Sequence, residues 1–172
     1  MAEGLNEMTQ AGTVAAGKLL GRLQDPAGLQ QKIGQIAEVA AFELPLVEFD
    51  HIQTRNIAAD VLEKSTAFKY PVVLVYAERI KNKQTEKFRR FSGQVDLVVE
   101  MRLTQDRVDD LEAKLGAYVD AVTDVLESTR GDWGDCVYYS GEYEVVFDAV
   151  KRGGTGFAQR ARVMLPVHVS VS

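Results

Sequence analysis

The last sixteen residues alternate more regularly than any other part of the chain. Ala161, Val163, Leu165, Val167, Val169 and Val171 fall on one side of an extended backbone, and Arg160, Arg162, Met164, Pro166, His168 and Ser170 on the other. Successive side chains of a strand point to opposite faces, so this pattern predicts a strand with one buried face. Pro166 lacks an amide donor, which places that strand at a sheet edge or a bulge, and an uncovered edge invites a neighbour. Within 93–104, Val95, Leu97, Val99, Met101 and Leu103 alternate in the same way and predict a second half-buried strand. The stretch from Tyr70 to Glu78 is β-branched and nearly all apolar, the pattern of a central strand buried on both faces, with Pro71 tolerable only at its start. Glu142 to Val150 places Tyr143, Val145, Phe147 and Ala149 on one face, and Lys151-Arg152-Gly153-Gly154-Thr155-Gly156 then reads as the turn of a hairpin.

Between the second and third of these runs the period changes. Val108, Leu111, Leu115, Tyr118, Val119, Val122, Val125 and Leu126 recur three and four residues apart, which predicts a long helix with Thr104 as N-cap, ending at Ser128 before Gly131. Asp106, Asp109, Asp110 and Glu112 crowd its expected first turns, where the helix dipole favours negative charge. A shorter helix is predicted after Pro26 from Leu29, Ile33, Ile36, Ala37 and Ala40, and Pro45 lies beyond its end. The stretch 46–57 reads as weakly extended and 58–64 as a short helix. Residues 1–25 are rich in Gly, Ala, Gln and Thr, with a small apolar patch at Leu19, Leu20 and Leu23, and read as a flexible arm. The expectation is an arm followed by one domain over 26–172, of class α+β: a mixed, mainly antiparallel sheet of four to five strands against a long helix and an N-terminal helix.

Composition narrows the function classes. A chain of 172 residues with 46% hydrophobic and 26% charged content suits one soluble domain with an extension. No apolar run approaches the roughly 20 residues of a membrane helix, and Met1 to Glu7 lacks the features of a signal peptide, so cytoplasmic synthesis and no membrane partner are expected. One cysteine, Cys136, permits no intrachain disulfide, and with only His51 and His168 there is no zinc-like spacing. The net charge of −5 argues against general nucleic-acid binding.

Against that background one segment stands out. Arg79, Lys81, Lys83, Lys87, Arg89 and Arg90 face only Glu78 and Glu86, so six cations meet two anions, a local charge of +4 in an acidic chain, on the loop joining the first two strands. Such a loop suits acidic side chains of a neighbouring protein, or phosphates, because arginines pair bidentately with either; Phe88 and Phe91 are candidate anchors. Its bland reading is a solvated hairpin tip. Gly153-Gly154-Thr155-Gly156 lacks the lysine and following helix of a phosphate-binding loop and reads as a turn. Asp132-Trp133-Gly134-Asp135-Cys136 gathers a thiol, an indole and two carboxylates, but no nearby base to activate the thiol, so packing by Trp133 is the preferred reading. No catalytic residues, cofactor or metal are expected.

The element order, carried by Lys69-Tyr70-Pro71-Val72-Val73-Leu74-Val75, by Phe91-Ser92-Gly93-Gln94-Val95-Asp96-Leu97-Val98-Val99 and by the helix from Asp106 to Ser128, resembles the tail-terminator and tail-completion (head-tail joining) proteins of long-tailed bacteriophages over residues 28–172. The resemblance implies a non-enzymatic virion protein, assembled in the host cytoplasm, that forms a homohexameric ring capping the tail tube and joining the tail to the head. Its expected partners are further copies of itself, the tail tube protein and a neck or connector protein, with DNA passing through the lumen without specific binding. On this expectation Arg79, Lys81, Lys83, Lys87, Phe88, Arg89, Arg90, Asp106, Asp109 and Asp110 are candidate interface residues, and Arg160 and Arg162 candidate lumen or interface residues. A neck or head-completion connector is the nearest alternative; a ligand-binding domain, small enzyme or non-viral adaptor are more distant ones.

Overall fold

The computed structural model describes residues 7–56, 70–153 and 156–172. Helix α1 (Glu7–Gln24) and helix α2 (Leu29–Ala37) lead through a 3-10 turn (Phe49–His51) into β1 (Ile52–Thr54). Strands β2 (Val72–Asn82) and β3 (Phe91–Gln105) follow, then α3 (Leu111–Ser128), and the chain closes with β4 (Gly131–Gly134), β5 (Val137–Tyr139), β6 (Glu144–Phe147), β7 (Lys151–Gly153) and β8 (Gly156–Val171). The fold is α+β: a mixed, mostly antiparallel sheet in the order β1-β2-β3-β8-β5-β4, with β6 and β7 also paired to β8. Among the described residues it has eight strands, more than the four to five expected, because the outer flank of β8 is covered by three short strands in succession.

The helices cover one sheet face. Val73, Val75, Val95, Leu97, Val99, Met101, Val163, Leu165 and Val167 bury against Leu19 and Leu23 of α1, Ile33 of α2, and Leu115, Tyr118 and Val122 of α3. At about 25 cal/mol per Å² of apolar surface removed from water, this layer is the main source of stability. Gly12 lets α1 approach β2 closely: a Cβ there would sit 2.9 Å from Ile80 Cδ1 and 3.3 Å from Ala77 Cβ.

Several expectations are corrected. Residues 7–24 are not a flexible arm but helix α1, whose Ala11, Ala15, Leu19 and Leu23 are fully buried at helical spacing. Strand β8 is not at an edge, since β3 pairs with it along Phe91–Gln105 and other strands line its far side. Pro166 is accommodated because it stands between the stretch paired to β5 (168–169) and that paired to β6 (161–164), where neither strand requires a donor. Strand β2 is buried on both faces, as expected, only over 72–75, where β1 and β3 flank it; β1 spans just three of its residues, and beyond Val75 the burial stops. Strand β3 is more than half-buried, with 97–103 buried on both faces. The third helix is shorter than expected. Thr104 is no N-cap but lies within β3 opposite Ala158, and α3 begins at Leu111, leaving Val108 half-exposed. The Gln105 amide holds the corner by donating to the carbonyls of Arg107 (2.6 Å) and Asp109 (2.5 Å). The extended reading of 46–57 reduces to β1, the strand expected over 142–150 reduces to β6 and leaves Phe147 partly exposed, and the hairpin forms between β7 and β8. The short helix expected over 58–64 lies outside the described residues. Among the described residues no helix is long and apolar enough to cross a membrane.

Candidate assembly interface

The basic segment begins on β2, where a bulge between Ala77 and Arg79 shifts the register against β3. It ends in the connection to β3. That connection is tied down from inside. The Asn82 carboxamide oxygen accepts from the amides of Gln84 and Ser92, both at 3.2 Å, and the Ser92 hydroxyl accepts the Glu86 amide at 2.8 Å. The Glu86 carboxylate in turn receives the Ser170 hydroxyl at 3.0 Å, lies 3.4 Å from His168 Nε2 and sits 3.5 Å from Arg89 Nε. The Ser170 and His168 contacts hold the Glu86 carboxyl below its ordinary value, with Arg89 adding a smaller effect. The loop is therefore preformed, which lowers the entropy cost of binding through it.

What it presents is charge with one aromatic ring. Lys81, Lys83, Lys87, Phe88 and Arg90 are exposed, and Arg89 partly so. Arg79 reaches Asp96 only at 4.0 Å and Lys83 donates to Gln94 at 2.8 Å, both across the sheet face away from the helices. The two expected anchors part company. Phe91 is buried in the core, whereas Phe88, in a left-handed conformation (φ 64), is wholly exposed.

Asp106, Asp109 and Asp110 lie fully exposed on the corner between β3 and α3. Their charge is not explained by the helix dipole alone, as the sequence suggested: Asp106 and Asp109 precede the helix, and Asp110 at the N-cap makes no side-chain capping bond. Arg107 lies within this corner and the hairpin residues Lys151 and Arg152 stand beside it, since β7 pairs with 157–158 and these with 104–105 of β3, so three cations balance Asp106, Asp109 and Asp110. The basic loop and this corner sit at opposite ends of the fifteen-residue β3, roughly 45–50 Å apart at about 3.3 Å per residue. They cannot meet within one chain.

Arg160 and Arg162 project from the face of β8 away from the helices, and both are engaged internally. Arg160 Nε is 2.5 Å from Asp148 Oδ2 and its Nη1 is 3.3 Å from Glu100 Oε1, while Arg162 Nη2 is 3.8 Å from Asp148 Oδ1. Glu100 is buried, also contacts the Arg102 guanidinium, and accepts the Tyr76 hydroxyl at 3.2 Å. Burial and the Glu100 charge push the Tyr76 phenol up to about 12. The two arginines thus serve first as ties between β8, β3 and the segment after β6. A cleft of about 260 Å³ borders this network at Arg102, Asp148, Gln159 and Arg160, just under the roughly 300–1,000 Å³ of small-molecule sites.

Trp133 packs as expected. Its indole donates to the Thr129 carbonyl at 2.7 Å, stacks at 5.2 Å on Tyr139 and lies under the Arg22 guanidinium at 5.1 Å, and Lys18 pairs with Asp135 at 2.7 Å. These contacts explain the local residue choice without chemistry at the exposed Cys136.

Sequence reasoning missed one surface. Strand β1 stops at Thr54, opposite Val75, so the outer edge of β2 from Tyr76 to Asn82 pairs with no strand among the described residues. A groove of about 500 Å³ runs between this edge and α1. The signal available was Arg79 and Lys81 in the polar second half of the strand, the usual guard of an open edge. Compared with known proteins, the chain matches no family model, and no curated protein aligns with it.

Proposed function

We propose that the protein is a structural ring subunit of a phage virion, a tail terminator that caps the tail tube and presents a second surface for joining to the head. The observation that carries the reading is the chemical difference between the two ends of one long strand: a preformed, net basic loop at one end of β3 and, at the other, a corner where Asp106, Asp109 and Asp110 are interspersed with Arg107, Lys151 and Arg152. A ring of such subunits in one orientation has two chemically different faces, as a part placed between a tube and a neck requires. Surface charge of this kind sets register and encounter rate more than affinity. The internal engagement of Arg160 and Arg162 also suits a lumen that conducts DNA without gripping it.

Light scattering on the purified protein tests the ring, and co-sedimentation with tail tubes tests the role. The expected results are a species near six subunits and binding to tube ends, lost when Arg89 and Arg90 are both replaced by Glu while the far-ultraviolet spectrum is unchanged. Binding to head-derived particles but not to tubes would move the assignment to a neck connector. Tube binding that survives the double reversal would remove the basic loop from the interface.

A further inference from the structure

We propose that the edge of β2 over 76–82, which no strand among the described residues pairs, accepts strand β6 of a second copy of this chain, with Phe147 of that copy seated in the groove between β2 and α1. The proposal rests on the assembly reading above for taking the partner to be a further copy. Three observations select β6.

Strand polarity is the first. β2, β3, β8 and β6 are each antiparallel to the next, so β6 runs opposite to β2. A second copy set beside the first in the same orientation therefore continues the sheet with an antiparallel β6-to-β2 step. Such a contact joins two different surfaces, the arrangement that closes into rings. By contrast β4 runs parallel to β2, and Gly131 and Gly134 within it adopt positive φ (113 and 86), which interrupts a ladder.

Charge is the second. The β2 edge carries Arg79 and Lys81 against Glu78, and Lys83 follows, while the entry to β6 carries Glu142 and Glu144, all six exposed. A bulged, basic edge repels most strands and favours an acidic one.

Apolar fit is the third. Phe147 pairs with Ala161 and Val145 with Val163, both partners on the helix-covered face, and opposite residues of an antiparallel pair share a face. Phe147 nevertheless remains 44% exposed. The groove beside β2 is on the same face, with Gly12, Ala16, Gly17 and Leu20 of α1 and Ala77 and Ile80 of β2 in its walls. It offers an aromatic ring the apolar cover that its own chain does not supply.

Gly17 provides a clean test, because a Cβ there meets nothing within 4 Å. Gly17→Leu fills the groove from inside while improving helix propensity, and Gly34→Leu, in equally open space on α2, is the control. We expect Gly17→Leu to be monomeric at concentrations tenfold above those at which the wild type and Gly34→Leu assemble, with its melting temperature undiminished. Arg79→Glu with Lys81→Glu should block assembly, as should Glu142→Lys with Glu144→Lys, and mixing the two folded double variants should restore it. A ring that Gly17→Leu leaves intact, or a mixture that does not reassemble, overturns the strand contact and leaves the ring reading standing. A wild-type chain that stays monomeric at millimolar concentration overturns the self-contact itself. Assembly that is lost in Gly17→Leu but never engages tail tubes supports the contact and removes the terminator role.

Discussion

Ser170, the penultimate residue of β8, donates its hydroxyl to the Glu86 carboxylate across 3.0 Å and so fastens the basic loop to the far end of the sheet. Eighty-four residues separate the two in sequence, and the contact holds Lys83, Lys87, Arg89 and Arg90 in one shape. Because Glu86 titrates below its ordinary value of 4.5 when folded, its contribution is complete above that value and disappears as pH falls through the lowered one. Protection of the amides across 83–92, taken relative to the intrinsic exchange rate at each pH, should therefore be constant from neutral pH down to about 4.5 and fall below it. Ser170→Ala, which removes the largest cause of the lowering, should shrink that acid loss of protection and lower protection at neutral pH. An acid loss and a neutral-pH protection that Ser170→Ala leaves unchanged would show that the hydroxyl does not anchor the loop.

Helix α1 makes the N-terminal residues part of the core. Leu19 is fully buried in the cluster that holds β2 and β3. Leu19→Ala should cost about 2–5 kcal/mol, lowering the melting temperature by roughly 5–15 °C for a chain of this size. Retention of the wild-type melting temperature would mean that the segment is dispensable to the fold.

The sequence pattern revealed which runs are strands better than it revealed their places in the sheet. The β3 and β8 runs were legible because each alternates strictly, and each pairs with the other over fifteen positions. What alternation does not reveal is what lies beyond a strand. Arg160 and Arg162 read as solvent-facing, yet Asp148 and Glu100 meet them, so the polar side of β8 is partly enclosed and an apparent edge strand lies inside the sheet. Helix α1 was misread because its buried face is largely Ala11, Ala15 and Ala16, small residues among Gly12, Gly17 and Gly21 that resemble linker composition. The loop's charge was legible; its fastening by Glu86 was not, since that requires residues from the two ends of the folded sheet.

Tyr118 connects α3 to the segment that leads into β1. Its hydroxyl donates to the Pro45 carbonyl at 2.5 Å, and burial raises its phenol well above the ordinary range. Tyr118→Phe should destabilise by about 1 kcal/mol, the net cost of one lost hydrogen bond, since Pro45 is exposed and its carbonyl can turn to water. Spectrophotometric titration gives an independent check. At pH 11 the folded wild type should keep Tyr118, and the half-buried Tyr76 and buried Tyr139 whose phenols are pushed up to about 12, protonated. A full complement of phenolates at pH 11 with the fold intact would contradict the burial.

Glu100 is the most consequential charge in the molecule, because its side chain is 2% exposed and it neutralises Arg102, whose side chain is 6% exposed, together with the more open Arg160. Removing one member of a buried ion set leaves the others uncompensated, whereas replacing the set by apolar groups of similar size is far better tolerated. Glu100→Ala should therefore cost about 3–5 kcal/mol in chemical denaturation. Glu100→Met combined with Arg102→Leu should recover most of that loss, since the pair's benefit is offset by the desolvation of both charges. Arg160 would then rest on Asp148 alone, and Arg160→Ala should be less damaging in the double variant than in the wild type. Equal effects of Arg160→Ala in the two backgrounds would show that Glu100 and Arg160 are not energetically coupled, and the 3.3 Å contact between them would then be geometry without consequence for stability.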